Sequence, residues 1–188
     1  MDDPEDLANV VRRLEARVQS LESLYGLVDL LSLPGLLAGG AMRIFDCTQS
    51  ADGIAPQAVG FYGKETDGRG VPIRWTRYPQ AGQLDIAVLK SIPFLLQLRV
   101  LHTPHVSNPA DLNVSTADGE RVVFDANSQL EDGVLEFSAV ITPENTGLVR
   151  LALSSKTHLQ GSGGDTRQLG LPFVQLRSSP FLQNPPAG

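Results

Sequence analysis

The sequence contains one cysteine, Cys47, one tryptophan, Trp75, and few basic residues. A lone cysteine excludes an intramolecular disulfide framework and any zinc site built from several thiolates. With no His, Asn or Asp pattern composed around it, Cys47 reads as an apolar packing residue. Lys and Arg number 15 against 21 Asp and Glu, a net charge of -6, so there is no positive field to gather phosphates and no nucleic-acid partner is expected. Long hydrophobic runs are also missing. The most apolar region, residues 27–42 (LVDLLSLPGLLAGGAM), carries Asp29, Pro34 and three glycines. It falls short of the ~18 to 20 apolar residues needed to span a bilayer and reads as a buried or interfacial segment. The N-terminus, MDDPEDLANVVRRLEARV, is acidic where a signal peptide would be positive. The expectation is a protein of the cytoplasm, or peripheral to the cytoplasmic membrane, with neither a signal peptide nor a transmembrane segment.

What is present begins with a heptad seam. Leu7, Val11, Leu14, Val18, Leu21, Tyr25 and Val28 follow at alternating steps of four and three, which predicts an α-helix with a partner. Val11, Val18 and Tyr25 occupy position a, and Leu7, Leu14, Leu21 and Val28 position d, a pattern of few-stranded parallel coils. Arg17 and Glu22 then stand at g and the following e, the spacing of an interchain salt bridge. Val10 and Leu24 widen the seam enough for a trimer, or for a helix lying on its own domain. The expected organisation is a heptad helix over 1–33 that makes a dimer or trimer through residues 7–28, an apolar connector and linker over 34–58, a β-sandwich over 59–178 and a flexible tail over 179–188.

From residue 59 the apolar period changes to two. QLDIAVL (83–89), FLLQLRVL (94–101), RVVFDA (121–126), GVLEFSAVI (133–141) and LVRLALS (148–154) read as strands, joined by shorter ones at VGFY, IRWT, LNVS and LPFVQL. In VLEFSAVI, Leu135, Phe137, Ala139 and Ile141 share one face, with Glu136 and Ser138 on the other; Leu96, Leu98 and Val100 behave alike. Asp-Gly pairs at 67, 118 and 132 separate or flank these runs, where a hairpin needs positive φ. The fold class is mainly β, an antiparallel, jelly-roll-like β-sandwich preceded by the heptad helix.

Chemistry is sparsely signalled. His102 and His105 with Asp111 form a countable metal set, but Pro104 lies between the two histidines and breaks the alternation that ligands on a strand show. Ser154, Ser155, His158 and Asp165 form a countable triad without a strained nucleophile elbow. GSGGDTRQLG lacks the Lys-Ser/Thr of a phosphate loop and precedes a strand. No catalytic residue, metal or cofactor is assigned. Asp165 and Arg167 are expected to lock that loop as a structural clasp beside the IRWT strand. The eleven aromatics are more informative, because four of them, Phe61, Tyr62, Trp75 and Tyr78, fall within 18 residues among Lys64, Glu65, Arg69, Arg74 and Arg77. Flat rings for the apolar face of a sugar, with forked donors and a carboxylate for its hydroxyls, make Tyr62, Glu65, Arg74, Trp75 and Tyr78 the candidate carbohydrate-binding residues. The competing reading makes Trp75 and Phe61 core anchors of the sandwich, and for Trp75 it is the preferred one.

GFYGKETDGRGVPIRWT at the front of the β region and GGDTRQLGLPFVQL at its end resemble β-sandwich accessory modules attached to bacterial surface-polysaccharide glycosyltransferases. The matching positions are Gly60, Phe61, Tyr62 and Glu65, then Arg74, Trp75 and Thr76, then Asp165, Arg167, Leu169 and Gly170. The resemblance covers residues 59–178 and implies a sugar-related, non-enzymatic role with a glycan as partner. No glycosyltransferase domain accompanies the module here, which favours a lectin-like or accessory protein multimerised by its helix. A structural assembly or fibre protein that makes only protein contacts is the alternative.

Overall fold

A computed structural model describes residues 45–129, 131–161 and 164–181. The heptad seam at 7–28, the connector as far as residue 44 and the tail from 182 lie outside the described residues. Eleven strands follow one another among these: β1 (Cys47–Ser50), β2 (Glu65–Thr66), β3 (Pro72–Arg77), β4 (Gly82–Val88), β5 (Phe94–Leu101), β6 (Leu112–Thr116), β7 (Asp125–Gln129), β8 (Val134–Ile141), β9 (Gly147–Ser155), β10 (Leu159–Gln160) and β11 (Gln168–Pro180). All the strand pairings are antiparallel. The larger sheet runs β2-β3-β11-β5-β8-β7, with β1 and β10 also on β11, and the smaller runs β4-β9-β6. From β3 to β6 and again from β8 to β9 to β11, the chain alternates between sheets, the winding of a double-sheet sandwich.

The period-two runs explain the core. On β5, Phe94, Leu96, Leu98 and Val100 are fully buried, and across the ladder Leu96 faces Ala139, Leu98 faces Phe137 and Val100 faces Leu135. Leu84, Ile86 and Val88 of β4 and Leu151 and Leu153 of β9 supply the smaller sheet's buried face. At roughly 1.5 to 3 kcal/mol for each such side chain, burial of these two rows is the main force holding the β region.

The remaining differences from the sequence reading have local causes. VGFY makes only one bridge, Phe61 to Thr76, because Gly60 sits at φ +77 with Ala81 O only 1.8 Å from where a Cβ would stand. In RVVFDA the strand begins only at Asp125, since Arg121 still bridges Ser115 of the smaller sheet and the chain must then cross to the larger. The sheet also exceeds its expected bounds at both ends. Cys47–Ser50, assigned to the linker, pairs with β11, and β11 runs past residue 178 to Pro180.

β11 reaches 13 residues by changing partners. One edge pairs with β3 at Leu169, Pro172 and Phe173 and then with β1 from Gln175; the other pairs with β10 and then with β5. Where β3 gives way to β1, the backbone of residues 51–55 leaves the ladder, and its carbonyls need donors. Arg74, 4% exposed, supplies them. Its Nε donates to Ala51 O at 2.9 Å and its Nη2 to Ile54 O at 2.7 Å, while Nη1 reaches Ala55 O and Tyr62 O at 3.4 Å. Arg74→Met should lower the unfolding free energy by about 3 kcal/mol, since hydrogen bonds from a charged donor contribute most and their acceptors would stay buried. Arg74→Lys should restore less than half of it, because one ammonium cannot serve that fork of carbonyls. Urea unfolding of the three proteins checks both values.

Candidate functional site

Period two on β3 sends Ile73 and Trp75 to the outer face of the larger sheet and Arg74 and Thr76 inward. Ile73, Trp75, Leu101 and Leu169 form a small buried cluster there, with Tyr62, Val71, Leu159 and Val174 packed against it. Trp75 is 8% exposed, and the His105 ring stacks on it at 6.1 Å between centroids and 19° between planes. Gly170 O, 2.8 Å from His105 Nε2, can only accept, so Nε2 carries a proton; in the neutral ring Nδ1 then accepts from the Thr103 hydroxyl at 3.0 Å. Burial lowers the His105 pKa, against smaller upward effects of the Gly170 carbonyl and Asp111.

The other expected sugar contacts are also engaged within the protein. The guanidinium carbons of Arg77 and Arg167 stand 5.2 and 5.1 Å from the centre of the Tyr62 ring. Arg167 ties Glu65 of β2 to Asp165, and Asp165 accepts Nε of Arg167 at 2.8 Å and its backbone N–H at 2.9 Å. These hydrogen bonds lower the Asp165 pKa and raise that of Arg167. The loop at DTRQ is therefore a clasp that leads into β11, whose Leu169 pairs with Arg77 and Pro172 with Trp75. Tyr78 stacks on His158 with centroids 4.4 Å apart.

Of the five residues assigned to sugar binding, two need correction. Arg74 points into the interior and spends its donors on backbone, and the Trp75 ring is covered. Tyr62 and Glu65 do come together, but around Arg167, while Tyr78 pairs separately with His158. The countable metal set is dispersed in the same way. Asp111 caps a short turn by accepting from the N–H groups of Ser107 and Asn108 at 2.9 and 3.0 Å, and both His105 nitrogens are used. The Ser155 hydroxyl donates to Thr157 O and the Ser154 hydroxyl to Asn113 O, so neither addresses His158.

Open polar chemistry lies further along the same outer face. Antiparallel register aligns two rows across the strands. In one, Thr48 of β1, Arg177 of β11 and Gln97 of β5 stand side by side; in the other, Ser50, Gln175, Arg99 and Glu136 of β8 do so. Thr48, Arg177, Gln97, Gln175, Arg99 and Glu136, with Asp46, line a groove of about 450 Å³. Glu136 fixes one part of it, accepting from Arg99 Nε at 2.7 Å and Gln97 Nε2 at 3.2 Å. None of these groove residues was singled out in the sequence. Gln97, Arg99 and Glu136 occupy the polar half of period-two strands and read as ordinary solvent face, while Thr48 lies on the unpatterned β1 with Asp46 just before it, so nothing marks the set until the fold brings it together. A larger recess of about 650 Å³ at the crossovers after β6 and β8 includes the exposed Val123, Val140 and Leu148.

No protein-family model matches the chain, and no curated protein does. One solved structure, titled "Native structure of a family 35 carbohydrate binding module from Clostridium thermocellum", aligns over 71% of this chain and 96% of that one, with a TM-score of 0.44 and 14% identity. That likeness is too low to assign a ligand to this chain. Among the described residues, no helix is long and apolar enough to cross a membrane.

The half-buried His105 gives the fold a pH dependence. Its folded pKa lies below the ordinary value of 6.5, so the unfolded chain binds more protons between the two values and stability rises with pH there. Its contribution is complete above about pH 6.5 and declines as pH falls from there toward the folded pKa. Unfolding free energies measured from pH 5 to 8 should show that decline, and His105→Gln should flatten it.

Proposed function

We propose that the β region is a non-enzymatic carbohydrate-binding module whose ligand face is the polar groove of the larger sheet, in a bacterial surface-polysaccharide or glycosylation system. The observation that carries this reading is the groove's chemistry. It is an open channel whose side chains are amide, guanidinium, hydroxyl and carboxylate, one part held rigid by the Gln97–Glu136–Arg99 network and the rest without protein partners among the described residues. Sugars offer many hydroxyls that both donate and accept, and convergent planar groups on a rigid sheet are suited to meet them in pairs. The aromatic patch supports the site by stiffening the sheet beside it, with Tyr62 and Tyr78 at its border. Multimerisation through residues 7–28 would set several weak sites side by side and raise avidity without new contacts.

The alternative, an assembly protein that makes only protein contacts, is favoured by two observations: the covered Trp75 ring, and the recess that exposes Val123, Val140 and Leu148. Titration separates the readings. Calorimetry against bacterial polysaccharides should show binding that Gln175→Ala and Arg99→Ala each weaken at least tenfold, while Tyr62→Ala and Tyr78→Ala change it less than threefold. Loss of binding in the tyrosine variants alone would return the site to the aromatic patch. No binding to any glycan, together with a defined assembly that Val140→Asp breaks, would establish the alternative.

A further inference from the structure

We infer that the groove takes a linear glycan bearing an anionic group, laid across the strands with its charge against Arg177. This rests on the reading of the groove as a glycan face and adds the ligand's class, direction and length.

The charge follows from which cation is already used. Arg99 is paired with Glu136 at 2.7 Å. Arg177, in the same groove, has no hydrogen-bond or ion-pair partner among the described residues, and stands between Thr48 and Gln97 in the register. A neutral sugar laid over this guanidinium would remove its water and return only neutral acceptors. A carboxylate or sulfate returns a full charge and two oxygens matched to the guanidinium fork. Asp46 also lines the groove, and its carboxylate lies within ion-pair distance of no cation among the described residues. Its like charge opposes an incoming anion, so its removal should favour one.

Direction and length follow from sheet geometry. Neighbouring strands are ~4.8 Å apart, close to the advance of one pyranose unit in an extended chain. A glycan perpendicular to the strands therefore meets a new set of polar side chains at each step, from Thr48 on β1, through Gln175 and Arg177 on β11 and Gln97 and Arg99 on β5, to Glu136 on β8. Four strands span about 14 Å, room for about four sugar residues.

Calorimetry on the full chain, with α-1,4-galacturonate oligomers of two to six residues and their methyl esters, tests this on one sugar backbone with and without charge. Mannuronate and sulfated galactan oligomers distinguish a carboxylate from a sulfate as the source of the anion, and neutral mannan oligomers complete the set. The acidic oligomers should bind at least tenfold more tightly than neutral ones, with affinity levelling near four residues and falling as salt is raised. Arg177→Gln should remove that preference while leaving the melting temperature unchanged, and Asp46→Asn should raise affinity for the acids. Equal binding of acidic and neutral oligomers, or an acid preference that survives Arg177→Gln, would overturn the proposal while leaving the glycan-binding reading intact. Absence of binding to every oligomer, charged or neutral, would overturn both.

Discussion

The β region depends on the buried cation of Arg74, which among the described residues bonds backbone carbonyls and no carboxylate. β11 serves four neighbouring strands because each of its edges changes partner partway along, one from β3 to β1 and the other from β10 to β5, and a ladder cannot change partners without stranding backbone carbonyls. Arg74 resolves this at the point of exchange, where Phe173 still faces Arg74 and Ala51 N–H has begun to donate to Val174 O. Ala51 and Ile54 carbonyls then accept the Arg74 guanidinium. Only a planar group with several fixed donors can serve carbonyls diverging from one junction. With the junction held, β1 and β5 both stay on β11, and the polar rows of the groove remain in register.

The same outer face divides into a closed half and an open half, and position in the sheet explains the division. β3 has only the two-residue β2 beyond it, so it lies near an edge that needs cover. Tyr62, Trp75, His105 and the Glu65–Arg167–Asp165 clasp supply that cover, which is why side chains that look equipped for sugar are spent on the protein itself. β1, paired among the described residues with β11 alone, follows on the edge that β3 leaves, and β11, β5 and β8 occupy the middle of the face with strands on both sides. Sheet neighbours there protect the backbone, leaving the side chains free to be polar and open.

Much of the architecture was legible because burial imposes its period directly on sequence. FLLQLRVL and VLEFSAVI alternate cleanly and form β5 and β8 with the faces expected. CTQS carries no apolar period, since β1 is held by backbone pairing to β11, and so it read as linker. β11's full length was hidden by its register shifts near Pro172 and Val174. The aromatic and arginine mixture around residues 61–78 was legible as composition, but composition does not say which face a residue takes. On β3 the outward direction belonged to Ile73 and Trp75, so Arg74 turned inward. The groove was the least legible feature, because its members are far apart in the chain and become neighbours only through the register of four strands.

The most direct test of the polar face as ligand site is side-chain NMR of the full chain during titration with an acidic oligosaccharide. The Nε–H resonances of Arg99 and Arg177 and the amide groups of Gln97 and Gln175 should shift together and saturate at one stoichiometry, with the Trp75 indole N–H unmoved. Movement of the Trp75 indole and Tyr62 ring signals, with the groove resonances unchanged, would contradict it.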